Sequence, residues 1–393
     1  MKKIIQQAFF QLRNQPLLSV ITVLGTALAI ALIMVILIVY QAKTADYAPE
    51  VNRSRSLYVK WERTVYDKKD PNSAGHSRPS LWLVKEIFYP LTTPEAVTAT
   101  YEGGEVLVGT VGSDEEMNTP LMLTDAAFWK VYQFRFLAGK PFTEADFQSG
   151  MKQAVIAKSV ARRLFGGAEN AIGKDILVNF AAYTVCGVVD DVNRFCEFTW
   201  SEVYAPYTSN AIASEAEAGQ TSGNNVITIL ARSTDDFDAI RNEVARGVAQ
   251  INTTLGDMEL QLMGQPDNFR MQLNRKFANQ YENLNANFWK YGIMILIILL
   301  VPAINLSGLT NTRMRRRLEE LGIRKAFGAT RNELVWQVLN ENLVLTVMGG
   351  LLGLALAYLF LWLMSDWLLQ TVWGATATMN ASMVSPVIFL IAF

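Results

Sequence analysis

The chain is poor in the side chains that most often carry chemistry: one histidine, His76, and two cysteines, Cys186 and Cys196, among 393 residues. One imidazole and two thiols ten residues apart do not make a tetrahedral zinc site, and neither His-x-x-x-His nor Gly-x-Ser-x-Gly occurs. A phosphate-cradling loop, Gly-x-x-x-x-Gly-Lys-Ser/Thr, is missing too. In the nearest stretch, Gly167 to Asp175, the first glycine is one residue too early and Asp175 stands where a hydroxyl is needed. Glu115-Glu116 and Asp190-Asp191 are acidic pairs, but neighbours on a strand point to opposite faces and those on a loop are usually solvated. No residue is assigned catalysis, no metal is expected, and no cofactor is expected in the chain itself. The two cysteines are open to either reading, a local disulfide or two unpaired thiols.

What the chain has is long apolar runs. Arg13 and Lys43 enclose 29 uncharged residues, Lys290 and Arg313 enclose 22, Glu341 and Asp366 enclose 24, and the chain ends on a shorter run, Met383 to Phe393. A helix needs roughly 20 apolar residues to cross a bilayer, so the first three runs qualify and the fourth is cut short. The first is too long for the core of a cleaved signal peptide. Net charge is −1, yet Met1 to Pro16 carries three Lys/Arg and no acid, and Arg313 to Trp336 carries seven against three acids. Basic short loops stay in the cytoplasm, which places both of these segments inside and residues 43–290 outside. Before Pro16, Ile4, Ile5, Ala8, Phe9 and Leu12 share one helical face, as in a helix lying at the interface.

The segment Arg313 to Gly350 is the organising one. Leu318, Leu321, Ile323 and Phe327 fall at helical spacing among Arg315, Arg316, Arg317, Glu319, Glu320, Arg324 and Lys325. Gly328 suits the left-handed residue that closes a helix, and Thr330 to Glu333 has the spacing of an N-terminal capping box. A second helix is expected from about Arg331, running unbroken into the third span. In that span Gly349, Gly353 and Ala357 recur every four residues, a row of small side chains against which another helix packs closely. Taken alone, the basic cluster is a plain stop-transfer flank. The stretch ELGIRKAFGATRNELVWQVLNENLVLTVMGG, however, resembles the signature of the FtsX/MacB-like permeases of ABC transporters. That resemblance implies a coupling helix docking on a separate ABC ATPase, with Leu318, Glu320, Gly322, Arg324, Lys325, Ala326, Phe327, Gly328, Ala329 and Thr330 as its contact residues. ATP and magnesium are then held by the partner. With the basic residues committed to the membrane flank and the ATPase, no nucleic-acid binding is expected.

Between the first two spans the composition turns to that of a water-soluble domain. Ser56 to Thr64 alternates like one strand, Ser80 to Pro90 has helical spacing, and Val97 to Val111 reads as strands broken by Gly103-Gly104. Val226 to Ala231 and Met258 to Met263 read as strands around a helix at Thr234 to Ile251. The residues between, DAAFWKVYQFRFLAGKPFTEADF to YTVCGVVDDV, resemble the periplasmic core domain of MacB-like permeases. There Gly139, Gly166 and Gly173 fit turns, and Ser159 to Phe165 fits a helix.

The expected architecture is an α-helical, four-span membrane protein, its last span incomplete, with a large α+β extracytoplasmic domain between spans 1 and 2. Its segments are an interfacial helix at 1–16, spans at 17–42, 291–312, 338–365 and 383–393, and a coupling loop at 313–337. The external domain is 43–290, with an insertion at about 121–225 and a stalk helix at about 266–290, and 366–382 is a short outer loop. The resemblance implies an inner-membrane permease that dimerises, with itself or a second permease, and works in export or mechanotransmission with a periplasmic adaptor or outer-membrane partner. The other reading is a membrane-anchored sensor or scaffold with no ATP-driven cycle.

Overall fold

The computed structural model describes residues 16–278 apart from 111 and 113–115, positions 289, 292, 293, 296, 297 and 300, and residues 322–368 apart from 324. The interfacial segment at 1–15, most of the second run at 291–312 and the last run at 383–393 lie outside the described residues. The chain divides into two compact units, Met1–Lys43 with Leu284–Phe393, and Thr44–Asn283.

Among its described residues the first unit holds two long helices, α1 (Pro16–Thr44) and, toward the other end of the chain, a 38-residue helix, Arg331–Leu368. Each contains a stretch long and apolar enough to cross a membrane, Ser19–Ile38 and Leu343–Leu361.

Among its described residues the second unit has fourteen strands, numbered in chain order. They are β1 (Ser56–Val59), β2 (Glu62–Val65), β3 (Ala74–Pro79), β4 (Ala96–Thr110), β5 (Glu116–Thr124), β6 (Phe136–Gly139) and β7 (Gln153–Ala157). After these come β8 (Asp175–Val178), β9 (Ala181–Val189), β10 (Val203–Pro206), β11 (Ser222–Gly223), β12 (Asn225–Leu230), β13 (Glu259–Gln261) and β14 (Asp267–Asn268). The larger sheet runs β14-β1-β12-β4-β5-β10-β7-β9-β6, and β8 pairs with both β4 and β9. Pairing from β4 through β5, β10, β7, β9 and β8 returns to β4, so six strands close into a barrel, and β12, β1 and β14 extend from it as an open wing. Closure removes edges that would otherwise invite pairing with another chain.

The 15-residue strand β4 makes this possible. Its first part, Ala96 to Tyr101, pairs with β12 in the wing, and Val108 to Thr110 pairs with β8 in the barrel. Between them the register shifts at Glu102/Gly104, where Gly104 has φ +73. Gly103-Gly104 is therefore a bulge that bends one continuous strand, not the break expected from two adjacent glycines. The segment read as an insertion at 121–225 shares its sheet with the rest of the unit.

Ser56 to Thr64 also differs from its reading as one strand. It splits at Lys60-Trp61, β1 joining the large sheet and β2 a second sheet ordered β11-β3-β2-β13. The Gln265 side chain holds the crossing point: its Oε1 accepts from the Lys60 and Trp61 amides at 2.8 and 3.2 Å, and its Nε2 donates to the Trp61 carbonyl at 2.6 Å.

Two helices cover the core. In α2 (Lys158–Phe165), Val160 is fully buried and Gly166 ends the helix at φ +74. Along α3 (Phe237–Thr254), Ile240, Val244 and Ile251 are buried in the same core. Ser80 to Pro90 is helical as expected, finishing in a wide π-turn, Val84–Phe88, against which Gly247 of α3 packs. An aromatic core lies apart from this aliphatic one. Tyr58, Phe128, Tyr132, Phe142, Phe198, Tyr204 and Phe269 form it, and Tyr58 enters it because β1 alternates, Leu57 and Val59 facing the other way.

The stalk helix expected over 266–290 does not begin at 266. Residues Asp267–Asn268 form β14, and a short helix, α4 (Phe269–Asn274), starts from an Asn268 side chain that accepts the Met271 amide at 2.9 Å. It stops at Arg275, whose guanidinium turns back to the Asp267 carboxylate and to the Met263 and Ala278 carbonyls. Freedom from proline and glycine permits a helix; this buried ion pair overrides it. Residues 279–288 lie outside the described ones.

Candidate functional site

The turn that precedes the long helix, labelled α5 (Arg331–Leu368), is the first candidate. Helical backbone reaches Ala326; the Phe327 amide donates to the Ile323 carbonyl at 3.0 Å and the Gly328 amide to the Lys325 carbonyl at 3.1 Å. Gly328 then takes φ +93, a conformation that costs a side-chain-bearing residue roughly 1–2 kcal/mol. Three residues later α5 begins, its Leu334 amide donating to the Thr330 carbonyl at 3.3 Å. Gly322, Lys325, Ala326, Phe327, Gly328 and Thr330 are exposed and Ala329 is half-buried. Phe327 is 88% exposed and Ile323 59%, so two large apolar side chains stand uncovered beside Lys325 within the first unit. Leu318, Glu320 and Arg324 lie outside the described residues.

The second feature is the seam between α1 and α5. A Cβ on Gly353 would sit 2.7 Å from the Ala27 carbonyl oxygen, and one on Gly349 would sit 2.9 Å from Thr26 Cβ. Backbone therefore approaches backbone at the small-residue row, and Ala357 is fully buried with Ile30, Met34 and Ile38 of α1. The opposing face of α1 is small or hydroxylated for two turns, Ser19, Thr22, Thr26 and Ala27 all being buried. Thr26 satisfies its hydroxyl on the Thr22 carbonyl at 2.8 Å. The row spaced four apart in α5 thus has its partner in this chain.

The second unit carries buried carboxyl groups, Glu50, Glu62, Asp125 and Asp267, each held by hydrogen-bond donors. Asp125 accepts from the Thr98 and Tyr89 hydroxyls at 2.6 and 2.7 Å and from the Ala99 and Phe128 amides. Among the described residues Glu62 accepts from hydroxyls: Thr64 at 2.6 Å, Ser77 at 2.7 Å and Ser222 at 3.1 Å. Burial pushes the Glu62 carboxyl up from its ordinary 4.5, and the hydroxyl donors only partly offset it. Folded protein therefore holds this proton over a range where the unfolded chain has released it. Stability is greatest below the ordinary value and declines as pH rises through the elevated one. We expect the melting temperature of Glu62→Gln, in detergent, to fall less than that of the parent as pH is raised from 4.5 toward neutrality. Equal slopes would show that Glu62 does not titrate in this window.

The polar groups noted in the sequence take ordinary places. Asp190 lies 3.7 Å from Lys158 and 3.8 Å from Arg135, and Asp191 accepts the Ser159 amide at the start of α2. Cys186 and Cys196 are not bonded to each other, and burial pushes the Cys186 thiol up to about 12. His76 is exposed on β3, and among the described residues no three His, Cys, Asp or Glu side chains converge as metal ligands. Sequence reading did not find the buried pair Glu50–Arg53, 2.7 Å apart, or Asp267–Arg275. An isolated arginine in a polar stretch carries no signal of burial.

Comparison with known proteins places these features in a family. The model for the MacB-like periplasmic core domain matches residues 19–246, and that for the FtsX-like permease C-terminal region matches 292–393. The uncharacterized ABC transporter permease YknZ of Bacillus subtilis (strain 168) is 23% identical over 86% of this chain and 81% of its own length. The macrolide export ATP-binding/permease protein MacB of Wolinella succinogenes is 25% identical over 89% of this chain; the match spans about half of that longer protein, 52%. A solved periplasmic region of MacB from Actinobacillus actinomycetemcomitans aligns with 56% of this chain and 95% of its own at 14% identity and a TM-score of 0.38. For the extracellular domain of YknZ the figures are 51%, 100%, 19% and 0.35. The chain belongs to the FtsX/MacB-like family of ABC transporter permeases, membrane-embedded proteins with a periplasmic domain.

Proposed function

We propose that the chain is the permease subunit that transmits ATP-driven motion to its periplasmic domain, for export or for mechanotransmission. One observation carries this reading: Phe327, 88% exposed, stands on a glycine-closed turn that leads directly into a 38-residue helix. An apolar anchor beside Lys325 suits a groove on a partner, and whatever displaces the turn displaces the helix. Leu318, Glu320, Arg324 and Lys325 supply polar and flanking contacts, Ala326 and Phe327 the anchor, and Gly322, Gly328, Ala329 and Thr330 the shape of the turn.

The 393 residues contain no phosphate-cradling loop, so ATP and magnesium are bound by an ABC ATPase outside them. Two nucleotide states of that ATPase must bind the turn with different affinity, since otherwise no shift follows. The topology proposed with it has four spans, a cytoplasmic N-terminus and residues 43–290 outside, in a dimer of permeases with a periplasmic adaptor or outer-membrane partner. The relatives' names include macrolide and pyoverdine export; for this chain the cargo class is a peptide, a drug or a lipoprotein.

The test is co-purification of an ABC ATPase from the native host. Removal of an anchor residue of this kind costs about 2 kcal/mol or more, roughly 30-fold in affinity. Phe327→Asp with Arg324→Glu should therefore strip the ATPase from the chain while leaving it folded. An ATPase absent from the parent would favour a sensor or scaffold without an ATP-driven cycle, and one retained by the variant would show that this turn is not where it docks.

A further inference from the structure

Nine positions after α1 ends at Thr44, Arg53 is 1% exposed, and its guanidinium is fully engaged by three separate stretches of the chain. Nε pairs with Glu50 Oε2 at 2.7 Å, Nη1 donates to the Ala45 carbonyl at 2.8 Å, and Nη2 donates to the Phe195 carbonyl at 2.8 Å. The cation lies 4.2 Å from the Tyr47 ring centroid and 4.7 Å from that of Phe269, the first residue of α4. Glu50 completes the link: its Oε1 accepts the Phe198 amide and the Thr199 hydroxyl, both at 3.0 Å. Phe198 stacks on Tyr58 at 4.4 Å, and Tyr58 meets Phe269 at 5.7 Å. Burial is the largest influence on both groups, driving the Glu50 carboxyl up and opposing the Arg53 cation, but Glu50, Tyr47 and Cys196 together offset that opposition and the guanidinium stays charged.

Such a pair is poor value as stabilisation, because apolar side chains of similar volume commonly hold a core equally well. What it adds is placement. A planar donor with three fixed acceptors, packed against two rings, tolerates little displacement of any of them. The acceptors belong to the chain that leaves α1 (Ala45, Glu50) and to the 195–199 loop, which feeds barrel strand β10. The Phe269 ring belongs to the chain that runs on toward the second apolar run. We propose that Arg53 is a positioning residue that makes these three stretches move as one body, so that a displacement of the α1 end is delivered to the barrel. The inference rests on the permease reading above and names the point where its motion enters the periplasmic domain.

The test uses the full chain with its ATPase in nanodiscs, followed by hydrogen–deuterium exchange with and without ATP and vanadate. Arg53→Met leaves Glu50 buried alone and serves as the severe variant; Glu50→Met with Arg53→Met removes both charges and preserves the packing. In the parent, nucleotide trapping should change exchange at residues 44–50 and 193–200 together. In the double variant the change at 44–50 should persist and that at 193–200 should shrink at least fivefold, with barrel strands β7 and β9 as protected as in the parent. A double variant that relays the change to 193–200 undiminished overturns the proposal. So does a parent with ATPase bound that responds at 44–50 alone. A parent that binds no ATPase removes the permease reading and this inference with it, an outcome that co-purification separates from the other two.

Discussion

Replacing Arg275 by alanine should destabilise the periplasmic unit by about 3–5 kcal/mol, because it leaves a buried carboxylate without its cation. Asp267 is fully buried, and Arg275 is its charge partner, engaging both carboxylate oxygens. The same guanidinium holds the Met263 and Ala278 carbonyls at 3.1 Å, so the end of α4 loosens with it. Burial already pushes the Asp267 carboxyl above its ordinary 3.8, and Arg275 is the main force pulling it back. Without the arginine the folded value climbs further and the folded state retains a proton that the unfolded chain gives up. Stability of Arg275→Ala should then drop more steeply with rising pH than that of the parent, over the window between 3.8 and the raised folded value. Adding Asp267→Asn should flatten this slope and restore part of the loss. Denaturant unfolding followed by tryptophan fluorescence measures both, and a loss under about 1 kcal/mol would mean the pair is not closed to water.

Gly353→Ala should also destabilise, against the usual direction. In a helix, alanine is favoured over glycine by about 1 kcal/mol, and in an open site the substitution would strengthen α5. Here the new methyl meets the Ala27 carbonyl oxygen at 2.7 Å and Ile30 Cβ at 3.1 Å, backbone and β-branched atoms that have no rotamer to yield. Forcing extra volume into such a contact costs about 1–3 kcal/mol, enough to cancel the propensity gain and reverse the sign. Gly353→Leu should separate the two helices outright. Leu351→Ala, at a position 58% exposed within the unit, provides the control and should shift stability by no more than about 0.5 kcal/mol. The readout is disulfide trapping between introduced cysteines on α1 and α5 in membranes. Equal trapping in Gly353→Leu and the parent would show that the seam does not depend on this glycine.

Local signals carried much of this architecture. Unbroken apolar runs marked α1 and α5, and the 3.6-residue period marked α2 and α3. A glycine followed by Thr-Arg-Asn-Glu located the turn at Gly328. Alternation along Ser56 to Thr64 could not reveal that the chain changes sheets at Lys60-Trp61, because both halves keep the same inside-outside rhythm and the Gln265 that pins the crossing is about two hundred residues away. Gly103-Gly104 read as a break because a glycine pair weakens any strand; only the partners β12, β5 and β8 show that it bends one. Closure of the barrel and the Arg53 and Arg275 clasps are long-range events, made by residues that look in sequence like any other polar position. The small-residue row in α5 was plain, but spacing alone could not say whether its partner was another protein or, as the structure has it, helix α1.

The seam between α1 and α5 also decides where a load can leave. Among the described side chains of α5, buried contact runs from Leu345 through Gly349, Gly353 and Ala357 to Leu361. From Arg331 to Leu345 the helix advances about 20 Å, so a push at the turn acts on the seam as torque with a lever arm of that length. Because the seam is held over roughly four turns of helix, α5 cannot swivel alone without prising backbone from backbone. In the coupling proposed above, both rods rotate together, and the outlet for the torque is the Thr44 end of α1, far along the chain from the turn that receives it.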